Sequence, residues 1–245
     1  MKAVVYEKQG CVRLSDVPMP KLLEPRDAIV KVMRASICSS DLHIRNGGVP
    51  RAKTGVVLGH EFVGEVVEVG SGVKKVAVGD RVAVNVESFC GECYFCRRGY
   101  VNNCVEGGWE LGCRINGGQA EYCRVPTADM SCTKIPDGIG YEQALFVGDV
   151  LATGYWAADI GEIRPADTVL VLGAGPTGLT TMMSARLYGP GRIVAADVNE
   201  GRLALAKAHG LCDITLNPKT DDVIARVREL AEGRGADVVF EVAGA

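Results

Sequence analysis

The sequence predicts an α/β plus β protein in which a β-rich first part precedes an incomplete doubly wound parallel sheet. Short runs of Val and Ile, separated by Gly, Asp and Pro, fill residues 1–150 and indicate an irregular antiparallel barrel or sandwich. From about residue 165, short apolar runs alternate with helical patterns, which indicates parallel βαβ units. A chain of 245 residues is long enough for two such domains. We place them at residues 1–153 and 154–245.

The elements of the first part follow from residue alternation. The start, MKAVVYEKQGCVRLSDV, alternates apolar and polar residues and predicts a pair of strands rather than a signal peptide. Further strands are predicted in AIVKVMRAS, GEVVEVGSG, GDRVAVNV and AEYCRVP.

The elements of the second part alternate regularly. Strands are predicted in DTVLVLGAG, RIVAADV, CDITLN and ADVVFEVAGA, and helices between them in PTGLTTMMSARLYG, NEGRLALAKAHG and DDVIARVRELAEG. A sheet that stops at its fourth strand leaves one edge uncovered and half of a doubly wound fold unbuilt. We therefore expect the chain to be truncated at its C-terminal end.

The bulk composition excludes several classes of partner. The chain is 47% hydrophobic and 23% charged, with a net charge of −3, so its charge gives no reason to expect binding to nucleic acid or to an anionic membrane. The sequence contains no run of 18 apolar residues, so no membrane span is predicted. A cytoplasmic location is the default expectation.

Cysteine usage is the first chemical signal, because ten cysteines in a reducing compartment favour metal ligands or reactive thiols over disulfides. Cys90, Cys93, Cys96 and Cys104 fall in one lobe, residues 88–106, at spacings that let thiolates converge on one tetrahedral Zn²⁺. A disulfide pair and an iron–sulfur cluster are the alternatives. The remaining cysteines outside the candidate sites are expected to be small buried hydrophobic residues: Cys11, Cys113, Cys123, Cys132 and Cys212.

A glycine motif, LGAGPTG at residues 172–178, follows a predicted strand and opens a predicted helix. With an acid about twenty residues further on, at Asp197, this context indicates a dinucleotide site; the alternative is a tight turn without a ligand. An acid at that position repels a 2′-phosphate, so NAD is favoured over NADP. We assign the cofactor contacts to Gly173, Gly175, Pro176, Thr177, Gly178, Asp197 and Arg202.

An acid also stands in the apolar run ALFVGDVLATGYW at Asp149, although carboxylates are rarely buried without a partner. Upstream, Cys38 and His60 form a plausible thiolate–imidazole pair with carboxylates near them in the sequence. Taken singly, a cysteine or a histidine is more often a plain core residue. His209, in AKAHG, is expected to be a surface or helix C-cap residue.

Together, CSSDLH, GHEFVGEVVEVG, GDRV, CGECYFCRRGYVNNC, GGQAEY and LGAGPTG resemble the motifs of the zinc-dependent medium-chain alcohol dehydrogenases, over the entire chain. The resemblance implies a GroES-like catalytic domain, a Rossmann NAD-binding domain and an active site in the cleft between them.

By this resemblance, Cys38 and His60 match the first two ligands of a catalytic zinc. Asp149 occupies the place of the third ligand, where many members carry a cysteine. That pattern is similar to secondary-alcohol dehydrogenases and glutathione-independent formaldehyde dehydrogenases. Cys⁻ and Asp⁻ neutralise Zn²⁺ as two thiolates would.

The resemblance also implies a proton relay. Ser40 matches the hydroxyl that takes the alcohol proton, and His43 matches the outer end of the relay. Asp41 matches a carboxylate that orients the histidine ligand, and Glu61 a glutamate that approaches the metal. Ser39 departs from the pattern, because some members carry a pyrophosphate-binding arginine there.

The expected function is hydride transfer between a small alcohol, or the corresponding aldehyde or ketone, and NAD. Two Zn²⁺ per subunit, one catalytic and one structural, are expected, and a dimer or tetramer for the complete protein. Two alternatives stay open: a truncated zinc- and nucleotide-binding module without catalysis, and a polyol or threonine type of dehydrogenase.

Overall fold

The structure, a computed structural model, describes residues 1–244. It divides into two compact units, of which the first ends at Asp149 and the second begins at Val150.

The first unit is built on antiparallel strands. Its strands are β1 Lys2–Lys8, β2 Cys11–Asp16, β3 Ala28–Ala35, β4 Phe62–Val69, β5 Arg81–Val84, β6 Glu87–Ser88, β7 Gly108–Trp109, β8 Tyr122–Val125 and β9 Cys132–Lys134. Its helices are α1 Ser39–Arg45, α2 Ala128–Ser131 and α3 Tyr141–Ala144, with 3₁₀ turns at Cys96–Arg98 and Val101–Asn103. A π-helical turn at Val147–Leu151 contains the boundary between the two units. The main sheet has the order β8-β3-β4-β5-β9, and β1-β2 and β6-β7 form separate antiparallel pairs.

The main sheet of the first unit is covered on both faces, because successive strand residues point to opposite sides. On β4, Phe62 packs in one apolar cluster and its neighbour Val63 packs in another. On β5, Val82 and Ala83 divide in the same way. The alternating pattern of the sequence therefore places core residues on both sides of the sheet.

The second unit is a parallel sheet with helices. Its strands are β10 Thr168–Leu172, β11 Arg192–Ala196, β12 Ile214–Leu216 and β13 Val238–Glu241, and its helices are α4 Ala152–Ile160, α5 Pro176–Ala185, α6 Glu200–Ala208 and α7 Val223–Leu230. The strand order is β12-β11-β10-β13: from β10 the chain first adds β11 and β12 on one side and then β13 on the other. Open α/β sheets bind ligands at such a switch point, beyond the carboxyl ends of the strands.

The predicted elements of both parts are confirmed in the described residues. The opening strand pair, the antiparallel strands of the first unit and the strand–helix alternation of the second all form where the sequence indicates them. His209 is the C-cap of α6, as predicted. The prediction for Cys11 is wrong: it is only half-buried, because it lies at the start of β2, where its thiol donates to Glu7 Oε2 at 3.4 Å.

Within residues 1–244, no helix combines the length and the apolar character that a membrane crossing requires.

Candidate functional site

The site begins at the N-terminus of α1, where Cys38 is the N-cap. Asp41, at the third position of the helix, accepts a hydrogen bond from the Cys38 backbone N–H at 3.0 Å through Oδ2. The same oxygen accepts from Gln119 Nε2 at 2.9 Å. Asp41 is 3% exposed, so these donors compensate for the burial of its charge. The capping bond thus fixes both the Cys38 backbone and the Asp41 carboxylate.

The second component is His60, which is 1% exposed and lies between two carboxylates. Its Nδ1 faces Asp41 Oδ1 at 3.5 Å, and its Nε2 lies 3.3 Å from Asp149 Oδ2. The ring edge packs on Trp109, with centroids 5.4 Å apart. The imidazole is therefore held in one orientation from three sides.

The third component, Asp149, lies in the π-helical turn Val147–Leu151. The preceding Gly148 passes directly against β5: a Cβ there would lie 2.1 Å from the Val84 carbonyl oxygen, and the Gly148 carbonyl accepts from Val86 N–H at 3.1 Å. Only glycine allows this approach, which positions Asp149 opposite His60.

The cluster has the geometry and charge of a zinc site. One donor atom each from Cys38, His60 and Asp149 lies within 4.8 Å of the others. Zinc bonds of about 2.0–2.1 Å at tetrahedral angles separate N and O ligands by about 3.3 Å, which is the distance from His60 Nε2 to Asp149 Oδ2. Burial by itself lowers the pKa of His60, but Asp149, Asp41 and Cys38 outweigh it and raise the pKa to about 12. A donor set that stabilises positive charge so strongly suits a cation.

The other predicted catalytic residues differ in their placement. The Cys38 thiol lies 3.6 Å from Ser40 Oγ. Glu61 is buried and accepts a short hydrogen bond from the Ser36 hydroxyl; burial, followed by the nearby negative charge of Asp149, raises the pKa of its carboxyl. His43 lies one turn beyond Ser40 on α1 and is exposed, and no hydrogen bond or ion pair within residues 1–244 ties its imidazole to the cluster.

Three residues around this cluster were not predicted to have a role. Gln119 holds Asp41, and its motif GGQAEY was the one signal that could have pointed to it. Trp109 packs on His60, and Ser36 donates to Glu61. Neither stands in a pattern that indicates a contact, because both contacts join segments far apart in the chain.

The cysteine lobe brings the thiols of Cys90, Cys93, Cys96 and Cys104 together, with all four sulfurs within 4.8 Å of one another. The Sγ atoms of Cys93 and Cys96 are 3.5 Å apart, and those of Cys90 and Cys96 are 3.9 Å apart. Four Zn–S bonds of about 2.3 Å separate the sulfurs by about 3.8 Å, whereas a disulfide bond is about 2.05 Å long. All ten cysteines, which lie in the described part of the chain, are free.

Backbone N–H groups donate hydrogen bonds to two of these sulfurs. Cys93 N–H donates to Cys90 Sγ at 3.4 Å, and Cys90 N–H donates to Cys104 Sγ at 3.3 Å. The backbone of Cys96 and Val105 lowers the pKa of Cys93 to about 6, whereas burial raises the pKa of Cys96 to about 12. Four mutually close sulfurs with N–H donors fit a closed Cys₄ zinc site.

The glycine loop of the second unit joins β10 to α5, which starts with Pro176. Gly173 has a φ of +104°, and a Cβ on Gly178 would lie 1.9 Å from the Gly173 carbonyl oxygen, so the helix packs tightly on the turn. At Gly175, the N-cap, a Cβ would meet only Arg202 Nη1 at 3.8 Å. The loop therefore leaves open backbone at the helix N-terminus, where phosphate groups bind.

Asp197 follows β11 and closes this loop. Its Oδ2 accepts from Ala174 N–H at 2.7 Å and its Oδ1 from Asn199 N–H at 2.8 Å, while Arg202 Nη1 lies 3.7 Å away. Burial raises the pKa of the carboxyl. The two backbone donors and Arg202 lower the pKa by more than burial raises it, so the pKa lies below its usual value. Asp197 is thus an anion that fixes the glycine loop.

Two family models match the chain. Residues 24–137 match the alcohol dehydrogenase GroES-like domain, and residues 176–245 match the zinc-binding dehydrogenase family.

Individual relatives extend over the whole chain. A zinc-type alcohol dehydrogenase B of Aspergillus flavus is 39% identical over 100% of this chain, which spans 58% of that relative. An uncharacterised zinc-type alcohol dehydrogenase-like protein of Bacillus subtilis is 37% identical over 100% of this chain and 68% of its own length. Among solved structures, the apo form of zinc dependent alcohol dehydrogenase 2 from Streptococcus pneumonia aligns with a TM-score of 0.93 at 37% identity, over 100% of this chain and 69% of that one.

Proposed function

Because the chain belongs to the zinc-dependent alcohol dehydrogenase family, we propose that it takes part in NAD-linked hydride transfer between an alcohol and the corresponding aldehyde or ketone. The family matches support a GroES-like domain and the use of zinc, and solved structures of similar chains that hold NADP or NADH support a nicotinamide cofactor. The chain spans 58% of the length of the Aspergillus relative, so its own activity and substrates are part of the proposal.

The observation that carries the proposal is the convergence of Cys38, His60 and Asp149 on one point. Three protein ligands leave the fourth position of a tetrahedral zinc for a reactant, which distinguishes a catalytic site from a closed structural one. A zinc ion bound there supplies a Lewis acid that lowers the pKa of an alcohol hydroxyl.

The residues around the cluster have separate roles in this proposal. Asp41 holds His60 in the orientation in which Nε2 points to Asp149. Ser40, beside Cys38, takes the proton that the alcohol gives up, and His43, one turn further along α1, releases it to solvent. Glu61 adds a buried carboxyl next to His60 in the chain, held by a hydrogen bond from the Ser36 hydroxyl.

The Cys90–Cys93–Cys96–Cys104 lobe holds the second zinc of the proposal. Its ligand set has no open position, so it stabilises the loop between β6 and β7 without taking part in the chemistry. The proposed complement is two Zn²⁺ per subunit.

The glycine loop and Asp197 are proposed to bind NAD. The open backbone at Gly175 suits the pyrophosphate, together with Gly173, Pro176, Thr177 and Gly178. Each Asp197 oxygen keeps a further acceptor site for a ribose hydroxyl, and its negative charge opposes a 2′-phosphate despite the neighbouring Arg202.

Three broader statements complete the proposal. The catalytic and nucleotide-binding domains are residues 1–153 and 154–245. The complete protein forms a dimer or tetramer, as the family resemblance implies. A cytoplasmic location is also part of the proposal.

The test combines metal analysis with turnover. The zinc-loaded chain is assayed with primary and secondary alcohols, diols and formaldehyde, using NAD⁺ and NADP⁺, alongside Asp149→Ala and Cys38→Ser and a control, Glu68→Gln, at an exposed acid of β4. The proposal expects each ligand variant to lose one zinc and its turnover, and the control to retain both. Unchanged zinc content in the ligand variants would sink the ligand assignment. Nucleotide binding without any turnover would favour the non-catalytic module.

A further inference from the structure

Gln119 lies beside the candidate metal cluster and connects the two chain segments that carry Cys38 and His60. Its backbone N–H donates to the Leu58 carbonyl at 2.8 Å. Its side chain crosses Gly59, where a Cβ would lie 2.5 Å from Gln119 Cγ. The φ of Gly59 is +96°, so both the backbone conformation and the close approach favour glycine here. Gln119 is therefore fixed against the residue that directly precedes His60.

The Gln119 amide donates toward the other segment. Its Nε2 lies 2.9 Å from Asp41 Oδ2 and 3.4 Å from the Ser36 carbonyl oxygen, so each N–H of the amide has an acceptor. The opposite orientation of the amide would place Oε1 against a carboxylate and a carbonyl, so these two acceptors fix the nitrogen on this side. Ser36 and Asp41 stand on either side of Cys38 in the chain. The amide thus holds both flanks of the turn that carries Cys38.

The Asp41 carboxylate divides its two oxygens between different partners. Oδ2 accepts from Gln119 Nε2 and from the Cys38 backbone N–H, whereas Oδ1 faces His60 Nδ1 at 3.5 Å. Within residues 1–244, Oδ1 and Nδ1 are buried and have no other hydrogen-bond partner, so each depends on the other. Rotation of the carboxylate would withdraw Oδ1 from the imidazole. The two donors on Oδ2 resist that rotation.

The position of Asp41 Oδ1 decides which nitrogen of His60 can bind a metal. A neutral imidazole carries its proton on one ring nitrogen and a lone pair on the other. An acceptor at Nδ1 keeps the proton there and leaves the lone pair on Nε2. This Nε2 lies 3.3 Å from Asp149 Oδ2, on the side where the proposed ligands converge. A group that fixes the Asp41 carboxylate therefore also fixes the ligand atom of His60.

We propose that Gln119 is a positioning residue for the metal cluster: it holds the Asp41 carboxylate with Oδ1 toward His60 Nδ1, and thereby keeps Nε2 directed at the metal. The proposal rests on the proposed function in one respect, that Cys38, His60 and Asp149 bind zinc. Gln119 is not itself a ligand and acts through Asp41.

Gln119→Met tests this role, because methionine keeps an unbranched side chain of similar length across Gly59 and removes the N–H donors. Gln119→Asn keeps the amide but is one methylene shorter, so its N–H groups are withdrawn from Asp41. Gln9→Met is the matched control. Gln9 is exposed, and its Nε2 donates at 2.9 Å to the carbonyl of Asn46, the C-cap of α1. The control therefore removes a glutamine amide that holds the same helix at its other end.

Two measurements on the full chain report on the cluster. Chelator competition on the zinc-loaded chain gives the zinc affinity, and cadmium-113 NMR of the cadmium-loaded chain gives a separate resonance for the cluster and for the cysteine lobe. We expect Gln119→Met and Gln119→Asn each to lower zinc affinity at the cluster about tenfold and to shift the cluster resonance. The cysteine-lobe resonance should not move in either variant, and Gln9→Met should change neither resonance. Thermal unfolding of the metal-loaded chains checks that every variant folds.

A double-mutant cycle with Asp41→Asn shows whether Gln119 acts through Asp41. In the Asp41→Asn chain the charge facing His60 is already absent, so there is no carboxylate left for Gln119 to orient. Adding Gln119→Met to that chain should lower zinc affinity by less than about twofold, within the range in which independent changes add. A second loss of about tenfold in that background would show that Gln119 acts independently of Asp41 and would overturn the proposal.

The remaining outcomes separate this inference from the proposed function. If both Gln119 variants bound zinc at the cluster with unchanged affinity and an unchanged cadmium resonance, the positioning role would be wrong and the ligand assignment would stand. If the unchanged chain bound metal only in the cysteine lobe, the proposed catalytic metal site would be overturned, and the positioning role with it.

Discussion

Replacing Gly148 with alanine tests how Asp149 reaches the metal cluster, without changing any proposed ligand. The new Cβ would lie 2.1 Å from the Val84 carbonyl oxygen, where real contacts are essentially never under 3.0 Å. The backbones of Gly148 and Val84 must therefore separate by about 0.9 Å, which is the difference between those two distances. Metal–ligand distances tolerate only about 0.2 Å, so Asp149 cannot keep both its place and its bond.

The expected result is a selective loss of zinc from this cluster. Affinity should fall by more than the roughly 10–100-fold that accompanies loss of an outer partner of a metal ligand. Titration of the zinc-loaded chain with a chelator, followed by metal analysis, measures it. The Cys90–Cys93–Cys96–Cys104 lobe should keep its zinc, which also verifies that the variant folds.

Gly140→Ala is the matched control, because a Cβ there meets only Gln143 Oε1 at 3.6 Å and the backbone φ is −81°. This variant should bind zinc as the unchanged chain does. If Gly148→Ala also retained the unchanged affinity, the reasoning from close approach to ligand position would be refuted.

Three further predictions address the supporting residues. Asp41→Asn keeps the helix cap but removes the charge facing His60. Zinc affinity at the Cys38–His60–Asp149 cluster should therefore fall about 10–100-fold in chelator competition. An unchanged affinity would contradict the orienting role of Asp41. Cys93→Ser should remove one zinc and lower the Tm by at least about 5 °C, since each kcal/mol of stability corresponds to about 2–4 °C in a chain of this size; metal analysis and thermal unfolding check both. Asp197→Asn should lower the free energy of unfolding by about 1–3 kcal/mol at neutral pH. Because the folded pKa of Asp197 lies below its usual value, this difference should be present above the unfolded pKa of about 3.9 and vanish as the pH falls through the folded value, which denaturant titrations at several pH values would measure.

The fold was predictable from local patterns because each element carries its own periodicity. The alternation in β4 and the apolar run of β10 identify their strands directly. Strand order was not predicted, since the pairing of β10 with both β11 and β13 depends on long-range packing that no local pattern records.

The candidate ligands and their neighbours Asp41 and Glu61 were found from residue type and family resemblance, but most of the contacts around them were not. Asp41 stands three residues after Cys38, so its capping bond is a local feature. The contacts of Gln119 with Asp41 and of Trp109 with His60 join segments far apart in sequence. Contacts of this kind appear only in the folded chain.

The most direct test of the account is anomalous X-ray diffraction at the zinc absorption edge from crystals of the zinc-loaded chain. The account predicts one peak among the four sulfurs of the cysteine lobe and a second at bonding distance, about 2.0–2.3 Å, from Cys38 Sγ, His60 Nε2 and an Asp149 carboxylate oxygen. A second peak bonded to Cys38 and His60 but away from Asp149, or no peak at that cluster, would contradict it.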